Sequence, residues 1–350
     1  MSYRITLSRT SANTSADTSA DTPESFEAQP GEPLLEAAER AGFPLAHDCR
    51  FGGCGACRVK LIEGTVEYDE FPFGLTEEEA EAGYALACQA CAQSDLTISA
   101  KLLPAGHIPA DFHVATIERL EKLSHDVTHL VLRIPSASEV VFHPGQYLNV
   151  MLDDGSPRSF SMASPHRGEL FDFHIRRVPG GHFTGRLETH YQAGDTLDVE
   201  LPLGNFRHDA ESPRDLLMVG GGTGLAPLKS IIESLLDEPN RPSITLYWGV
   251  RRAEDLYLDE QLNDWARTLP DFRYVPVLSD PDPEWGGRRG FVHEAVCQDF
   301  DDLSSFDAYL CGPPPMIAAA KTSFAQRGLD VERIYADSFN FTHELEGSVA

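Results

Sequence analysis

Hydrophobic and polar positions change their rhythm three times along the 350-residue chain. Residues 3–7 (YRITL) alternate as a short strand does. Residues 9–25, rich in Ser, Thr, Ala and Asp with SADT twice in succession, present no apolar face and predict a mobile loop. In residues 33–41 (PLLEAAERA) the apolar side chains recur at helical spacing and stop at Gly42. A small α+β first domain is expected over residues 1–103. Residues 112–203 switch to short alternating runs, HLVLRI, QYLNVML and FDFHIRRV, separated by Pro and Gly turns, which predicts an antiparallel β-barrel domain over 112–210. From Asp215 the order is strand (DLLMV), glycine loop (GGGTGLAP), helix (LKSIIESLL), strand (SITLYWGV) and helix (LYLDEQLNDWA), closing with DAYLC, MIAAAKTSFAQ and RIYADSF. That alternation predicts an α/β domain with a parallel sheet over 211–340, and a tail over 341–350. The connection PAGHIPADF is short and carries prolines, so restricted rather than free swinging of the first domain is expected.

Charge narrows the partners. The formal net charge is −27 with five lysines, which argues against nucleic acid or an anionic membrane, since both are bound by clustered cations. No apolar run approaches the roughly 20 residues that span a bilayer, and MSYRITLSRT lacks the apolar stretch of a signal peptide. A cytoplasmic protein without membrane insertion is expected.

Five of the seven cysteines lie between Cys49 and Cys91, and in a reducing compartment such a cluster favours metal over disulfides. Cys49, Cys54 and Cys57 stand in CRFGGCGAC with the spacing C-x4-C-x2-C, and Cys88 follows in LACQ, which is plant-type 2Fe-2S spacing. Four thiolates must converge on two irons, and Gly52, Gly53 and Gly55 allow a tight loop whose N–H groups face the sulfurs. A zinc ribbon built from Cys54, Cys57, Cys88 and Cys91 is the alternative, although it leaves Cys49 and the glycines unexplained. Cys91 is otherwise a spare buried thiol. A Rieske centre is excluded, because no cysteine has His in C-x-H or C-x2-H spacing. His47 lies near Cys49, but the histidines are otherwise scattered.

Residues 220–227 follow a predicted strand and open a helix, so Gly220, Gly221, Gly222, Thr223 and Gly224 offer N–H groups to a pyrophosphate at the positive end of the helix dipole, with Pro227 behind them. The loop is not G-x-G-x-x-G, because Leu225 holds the last glycine's place. A glycine-rich turn without ligand is the alternative. PGG at 179–181 equally suits a hairpin turn, and Cys311 in CGPPPM equally suits a buried structural thiol.

CRFGGCGAC with Cys88, then RSFS, GGGTGLAP and CGPPPM in that order, resemble the ferredoxin-NADP reductase superfamily. More narrowly they resemble reductase components of multicomponent oxygenases and CDP-6-deoxy-glucoseen reductases, over nearly the whole chain. The resemblance implies a β-grasp-like ferredoxin domain carrying a 2Fe-2S cluster, an FAD-binding barrel and a nicotinamide-binding domain. In RSFS, Arg158 then pairs with a flavin phosphate, Ser159 belongs to the same box, Phe160 replaces the usual tyrosine but keeps its ring, and Ser161 hydrogen-bonds flavin N5. Tyr147 of PGQY lies beside the ring. Gly180, Gly181 and Thr184 of VPGGHFT approach the FAD pyrophosphate. Cys311, with Gly312 and Pro313, borders the nicotinamide. Ser161 and Cys311 are the catalytic candidates, and Phe339 or Phe341 is either a flavin-stacking ring or a core aromatic.

NADH is favoured with NADPH open beside it: Arg251 and Arg252 follow the strand where an acid often marks NAD specificity, while Glu254 or Asp255 is placed to reach the ribose. The implied activity is hydride transfer to the flavin and one-electron export through the cluster. The acceptor is a partner protein, either a dehydratase acting on a CDP-6-deoxy-hexulose or an oxygenase component. A slow-turnover redox-responsive binding protein is the competing class.

Overall fold

The computed structural model describes residues 2–8, 24–47, 50, 52–53, 55–103 and 110–339. These fall into two compact units, 2–103 and 110–339. The tail at 341–350, most of the expected loop at 9–25 and most of the PAGHIPADF connection lie outside the described residues.

In the first unit, β1 (Tyr3–Leu7), β2 (Ser25–Ala28), β3 (Arg58–Glu63), β5 (Tyr84–Leu86) and β7 (Leu96–Ala100) form a mixed sheet in the order β2-β1-β7-β3-β5. A separate ribbon pairs β4 (Val66–Glu67) with β6 (Cys91–Ala92). Helix α1 (Leu34–Arg40) buries Leu34, Leu35, Ala37 and Ala38, the stripe its spacing predicts, against a core that includes Ile5, Phe26, Leu86 and Ile98. Helix α2 (Glu77–Glu81) starts on a capping box of Thr76 and Glu79. The loop expected to run to residue 25 ends earlier, since Ser25 is already paired with Thr6. Four residues are too few to be recognised as a strand alone, and pairing with β1 is what makes them one.

The second unit holds two sheets. The first contains β8 (Asp111–Lys122), β9 (Val127–Arg133), β10 (Tyr147–Met151), β11 (Pro157–Ser161), β12 (Leu170–Arg176) and β13 (Thr196–Leu203), with the short helix α3 (Leu187–His190) between the last two. Its order is β11-β10-β13-β8-β9-β12 with antiparallel pairings, and a bridge between Met162 and Phe173 brings the ends of the series together. Leu130, Leu132, Phe171, Phe173 and Ile175 face its core. The alternate positions of β9 and β12, among them His129, Asp172 and His174, point the other way.

The second sheet contains β14 (Asp215–Gly221), β15 (Ile244–Val250), β16 (Phe272–Leu278), β17 (Arg288–Arg289), β18 (Phe306–Gly312) and β19 (Ile334–Ser338), parallel throughout in the order β17-β16-β15-β14-β18-β19. Helices α4 (Leu225–Leu235) and α5 (Asp259–Thr268) share one apolar cluster with Leu216, Met218 and Trp248, whereas α6 (Val292–Asp299) and α7 (Pro314–Ala325) share another with Leu217, Val219 and Tyr247. Cover on both faces explains the unbroken apolar runs of the central strands. Helix α5 begins at Asp259, later than its apolar pattern suggests, with Asp259 and Glu260 placed in its first turn where carboxylates suit the dipole. Strand β16 escapes a pattern reading because Pro276 interrupts it; the structure tolerates the proline because β17 pairs only from Val277 onward. No helix among the described residues is long and apolar enough to cross a membrane.

Candidate functional site

Three strands of the second unit bring Ser161, Cys311 and Asp337 together. Register sets Cys311 beside Gly220 on one side and Asp337 on the other. Ser161, the last residue of β11, donates from Oγ to Asp337 Oδ2 at 3.2 Å, and Cys311 Sγ lies 3.7 Å from the same oxygen. Cys311 is fully buried and Ser161 nearly so. Burial first, and the Asp337 carboxylate second, push the Cys311 thiol well above its ordinary range, so it is a neutral thiol and not a nucleophilic thiolate. Both catalytic candidates therefore meet, around an acid that the sequence reading passed over. Its only local signal is an acidic residue inside the final strand RIYADSF.

The glycine loop is framed by this centre and by the β8–β13 sheet. Gly222 takes the left-handed backbone region (φ 56°), and Trp248 Nε1 donates to its carbonyl at 2.8 Å. A Cβ on Gly224 would fall 2.2 Å from the Cys311 carbonyl oxygen, so only glycine permits this approach. Thr223 lies in the same short turn, and Pro227 is buried in the first turn of α4. A Cβ on Gly222 would stand 2.8 Å from Arg176 Nη1, which places a guanidinium of β12 over the loop; Arg176 also pairs with Asp126 at 3.1 Å. Loop N–H groups, a helix start and a guanidinium form a donor set that fits a pyrophosphate. Arg176 was missed because HIRRVPGG reads as a strand entering a turn. Gly221 packs closely on Pro313 and Met316, and Gly312 accepts from Phe339 N–H at 2.9 Å. Phe339 packs on the same core cluster as Cys311; Phe341 lies outside the described residues.

On β10 and β11, Tyr147 is the register partner of Ser161, and Asn149 that of Ser159. Ser159 Oγ donates to Asn149 Oδ1 at 2.8 Å. Arg158 Nη1 donates to Ser156 Oγ (3.1 Å) and to the Pro157 carbonyl (2.8 Å). Phe160 packs on Phe183 with ring centroids 5.4 Å apart, which joins RSFS to the VPGGHFT turn without needing the missing hydroxyl. In that turn Gly181 bonds Val178, and Thr184 Oγ1 accepts from Val178 N–H at 3.2 Å; Gly180 is at φ 77°. At the far end of β15, Arg251 and Arg252 both pair with Asp280, at 3.4 and 3.3 Å. Asp255 accepts from Arg252 N–H at 2.8 Å, and Glu254 is exposed.

In the first unit Cys57 and Cys88 are both buried, while Cys49 and Cys54 lie outside the described residues. The loop between them rests on two distant segments. Gly52 (φ 77°) accepts from Gly74 N–H at 2.7 Å, and a Cβ on Gly74 would meet the Gly52 and Gly53 carbonyls at 2.8 Å. Gln89 Nε2, next to Cys88, donates to the Arg50 carbonyl at 3.0 Å. Arg58, next to Cys57, forms a buried pair with Glu79 at 2.6 Å. Burial pushes Tyr68 up to about 12, and its hydroxyl accepts from Leu86 N–H. Two buried thiols beside a glycine cradle fit a cluster. His47 is engaged by Glu39 at 3.4 Å, and Cys91, expected to be buried, is only partly so on the short β6 and points toward the Gln89 carbonyl at 3.9 Å.

Family models agree with this division. A 2Fe-2S iron-sulfur cluster binding domain matches residues 17–93, an oxidoreductase FAD-binding domain 114–208, and an oxidoreductase NAD-binding domain 218–322. The ferredoxin match leaves the zinc ribbon without support. The chain is 33% identical over 308 residues to the CDP-6-deoxy-L-threo-D-glycero-4-hexulose-3-dehydrase reductase of Yersinia pestis, covering 87% of this chain and 92% of that one. It is 35% identical over 350 residues to the reductase component of phenol 2-monooxygenase from Pseudomonas sp., covering 97% and 95%. Among solved structures, the ferredoxin reductase in carbazole 1,9a-dioxygenase aligns with a TM-score of 0.64 and 28% identity over 97% of this chain and 99% of that one. With cluster, flavin and nicotinamide domains in this order, the chain belongs to the ferredoxin-NADP reductase superfamily, as an NAD(P)H-dependent iron-sulfur flavoprotein reductase that passes electrons through FAD and a 2Fe-2S cluster to a partner protein.

Proposed function

We propose that Ser161, Cys311 and Asp337 border the gap between nicotinamide and flavin, and that their convergence from three strands is the observation that carries this reading. When bound, the flavin accepts a hydride and the cluster supplies one-electron transfer. Ser161 Oγ has a single hydrogen, donated here to Asp337; with FAD bound it would turn that hydrogen to flavin N5, with Asp337 keeping the hydroxyl within reach. The neutral Cys311 thiol lines the nicotinamide side without attacking it, and its complete burial keeps water out. Arg158, Ser159, Phe160, Tyr147, Gly180, Gly181 and Thr184 hold FAD; Gly220, Gly221, Gly222, Thr223, Gly224, Pro227, Gly312 and Pro313 shape the nicotinamide site. Cys49, Cys54, Cys57 and Cys88 ligate the cluster. The domain limits are 1–103, 112–210 and 211–340 with a tail to 350, and the flavin sheet is a barrel beside a β-grasp-like ferredoxin fold.

NADH is the preferred donor, because Asp280 already occupies both Arg251 and Arg252 and would repel a 2′-phosphate. The acceptor is a CDP-6-deoxy-hexulose dehydratase, as the name of the Yersinia relative supports, and the reductase works in the cytoplasm. The Pseudomonas relative supports an oxygenase component as the second reading. An anaerobic absorbance titration with NADH and then NADPH, combined with an iron assay and with each purified acceptor in turn, tests all three statements. Bleaching of flavin and cluster by NADH, with about two irons per chain, is expected. Turnover of only a few per hour with artificial acceptors would favour the redox-responsive binding protein instead.

A further inference from the structure

We propose that Lys229 is a positioning residue for nicotinamide-to-flavin transfer, a buried cation that fixes the helix leading out of the glycine loop against the strand that carries Ser161. Lys229 is 8% exposed on α4, the helix that continues directly from Gly224. Its Nζ donates to the Ala163 carbonyl at 3.0 Å and pairs with Glu233 Oε1 at 2.7 Å, one turn along the helix. Ala163 lies two residues beyond Ser161, and its N–H donates to the Asp172 carbonyl at 2.8 Å. One side chain therefore spans from the loop helix to the end of the Ser161 strand.

The face it meets is polar by design of the strands. His129 and His174 are direct register partners on β9 and β12, and Asp172 sits two residues before His174 on the same side. The Asp172 carboxylate accepts from Ser164 Oγ at 2.6 Å and stands 3.9 Å from His129 Nε2. Burial opposes ionisation of Asp172, yet the neighbouring His129 imidazole, the Ser164 hydrogen bond and the Lys229 charge hold it well below the usual carboxylate range. His174 is kept neutral by burial, then by Lys229 and His129. Arg167 adds an exposed pair to Glu233 at 3.1 Å. The cluster His129, Asp172 and His174 has the ligand types of a metal site, but the neighbouring ammonium supplies the positive charge already.

A second tie runs parallel to the first. The Tyr257 hydroxyl lies 3.3 Å from His174 Nδ1, its ring packs edge-on to Trp248 at 5.1 Å, and Trp248 holds the Gly222 carbonyl. Both ties join the outer face of the flavin sheet to the glycine loop. A hydride step is sensitive to displacements of about 1 Å, so loosening the Lys229 tie should slow transfer more than it weakens binding.

The inference rests on the reading that Ser161 borders the reacting gap, and Ser161→Ala is therefore the control. The purified holoprotein is mixed anaerobically with NADH or with NADH deuterated at both C4 positions, and flavin bleaching is followed at saturation. For Lys229→Met the limiting rate is expected to fall about tenfold or more and the isotope effect to rise, with FAD and iron contents unchanged; Lys229→Arg should restore most of the rate. Because Lys229→Met leaves Glu233 with only the exposed Arg167 and takes the buried charge away from Asp172, Lys229→Met with Glu233→Gln is made beside it. That pair should recover thermal stability and remain slow. A limiting rate and isotope effect within twofold of the parent in the double variant would overturn the proposal, as would a change confined to the NADH dissociation constant. If Ser161→Ala bleaches at the parental rate, the underlying site reading fails instead.

Discussion

The cysteine loop and the seam of Ser161, Cys311 and Asp337 place their side chains in opposite ways. Three of the four cysteines proposed as cluster ligands lie within nine consecutive residues, CRFGGCGAC, so most of that proposed set is written in local spacing. Ser161 and Asp337, which share a hydrogen bond at the seam, are 176 residues apart. The first site is specified by spacing and steadied by distant residues, Gly74 and Gln89. The second exists only through strand register, in which Gly220, Cys311 and Asp337 line up across three parallel strands. Damage to the loop should therefore be confined to its own electron step, while damage at the seam should act earlier, on flavin reduction.

The largest test of that contrast is Cys88→Ser. Loss of one ligand should abolish cluster-dependent reduction of cytochrome c, by at least about 100-fold, and leave NADH-driven flavin bleaching close to the parent in rapid mixing. Parallel losses in both assays would show that the two regions are not separable. Ser161→Ala should give the reverse pattern, with bleaching slowed about 100-fold, the scale of losing one well-placed donor, and electron paramagnetic resonance of the dithionite-reduced cluster unchanged.

Stability sharpens the same comparison. Arg58 and Glu79 form a buried pair whose carboxylate also closes the α2 capping box, so Glu79→Gln should destabilise the first unit by about 3 kcal/mol or more. Calorimetry should show the first unit's transition moving while the flavin-linked transition stays put. A smaller effect belongs to the second unit. Burial, with Lys229 and His129, lowers His174 to about 3 from an ordinary 6.5. The unfolded chain then binds the proton that the folded chain refuses, so this contribution to stability is complete above pH 6.5 and is lost as pH falls toward 3. By pH 5 the loss should reach about 2 kcal/mol, and His174→Leu should remove that part of the acid limb in pH-dependent denaturant unfolding.

Patterns confined to one element were readable. The helical stripe of α1, the unbroken apolar strands around the glycine loop and the cysteine spacing each depend on neighbours a few residues away. Pro276 hid β16, whose legitimacy depends on where β17 begins to pair, and Ser25–Ala28 is too short to declare itself without β1. Asp337 and Arg176 were passed over because an acid near the end of a strand and an arginine before a turn are ordinary features.

The sequence by itself determined the order of three cofactor-binding domains, the cysteine spacing of the cluster and the glycine loop at a helix start, since each needs only local geometry and side-chain type. Tertiary structure alone decided that Asp337 stands between Ser161 and Cys311, that Arg176 covers the glycine loop, and that Lys229 is buried between Ala163 and Glu233. Those contacts follow from strand register and from packing one sheet's outer face on another domain's helix, and no period along the chain encodes either.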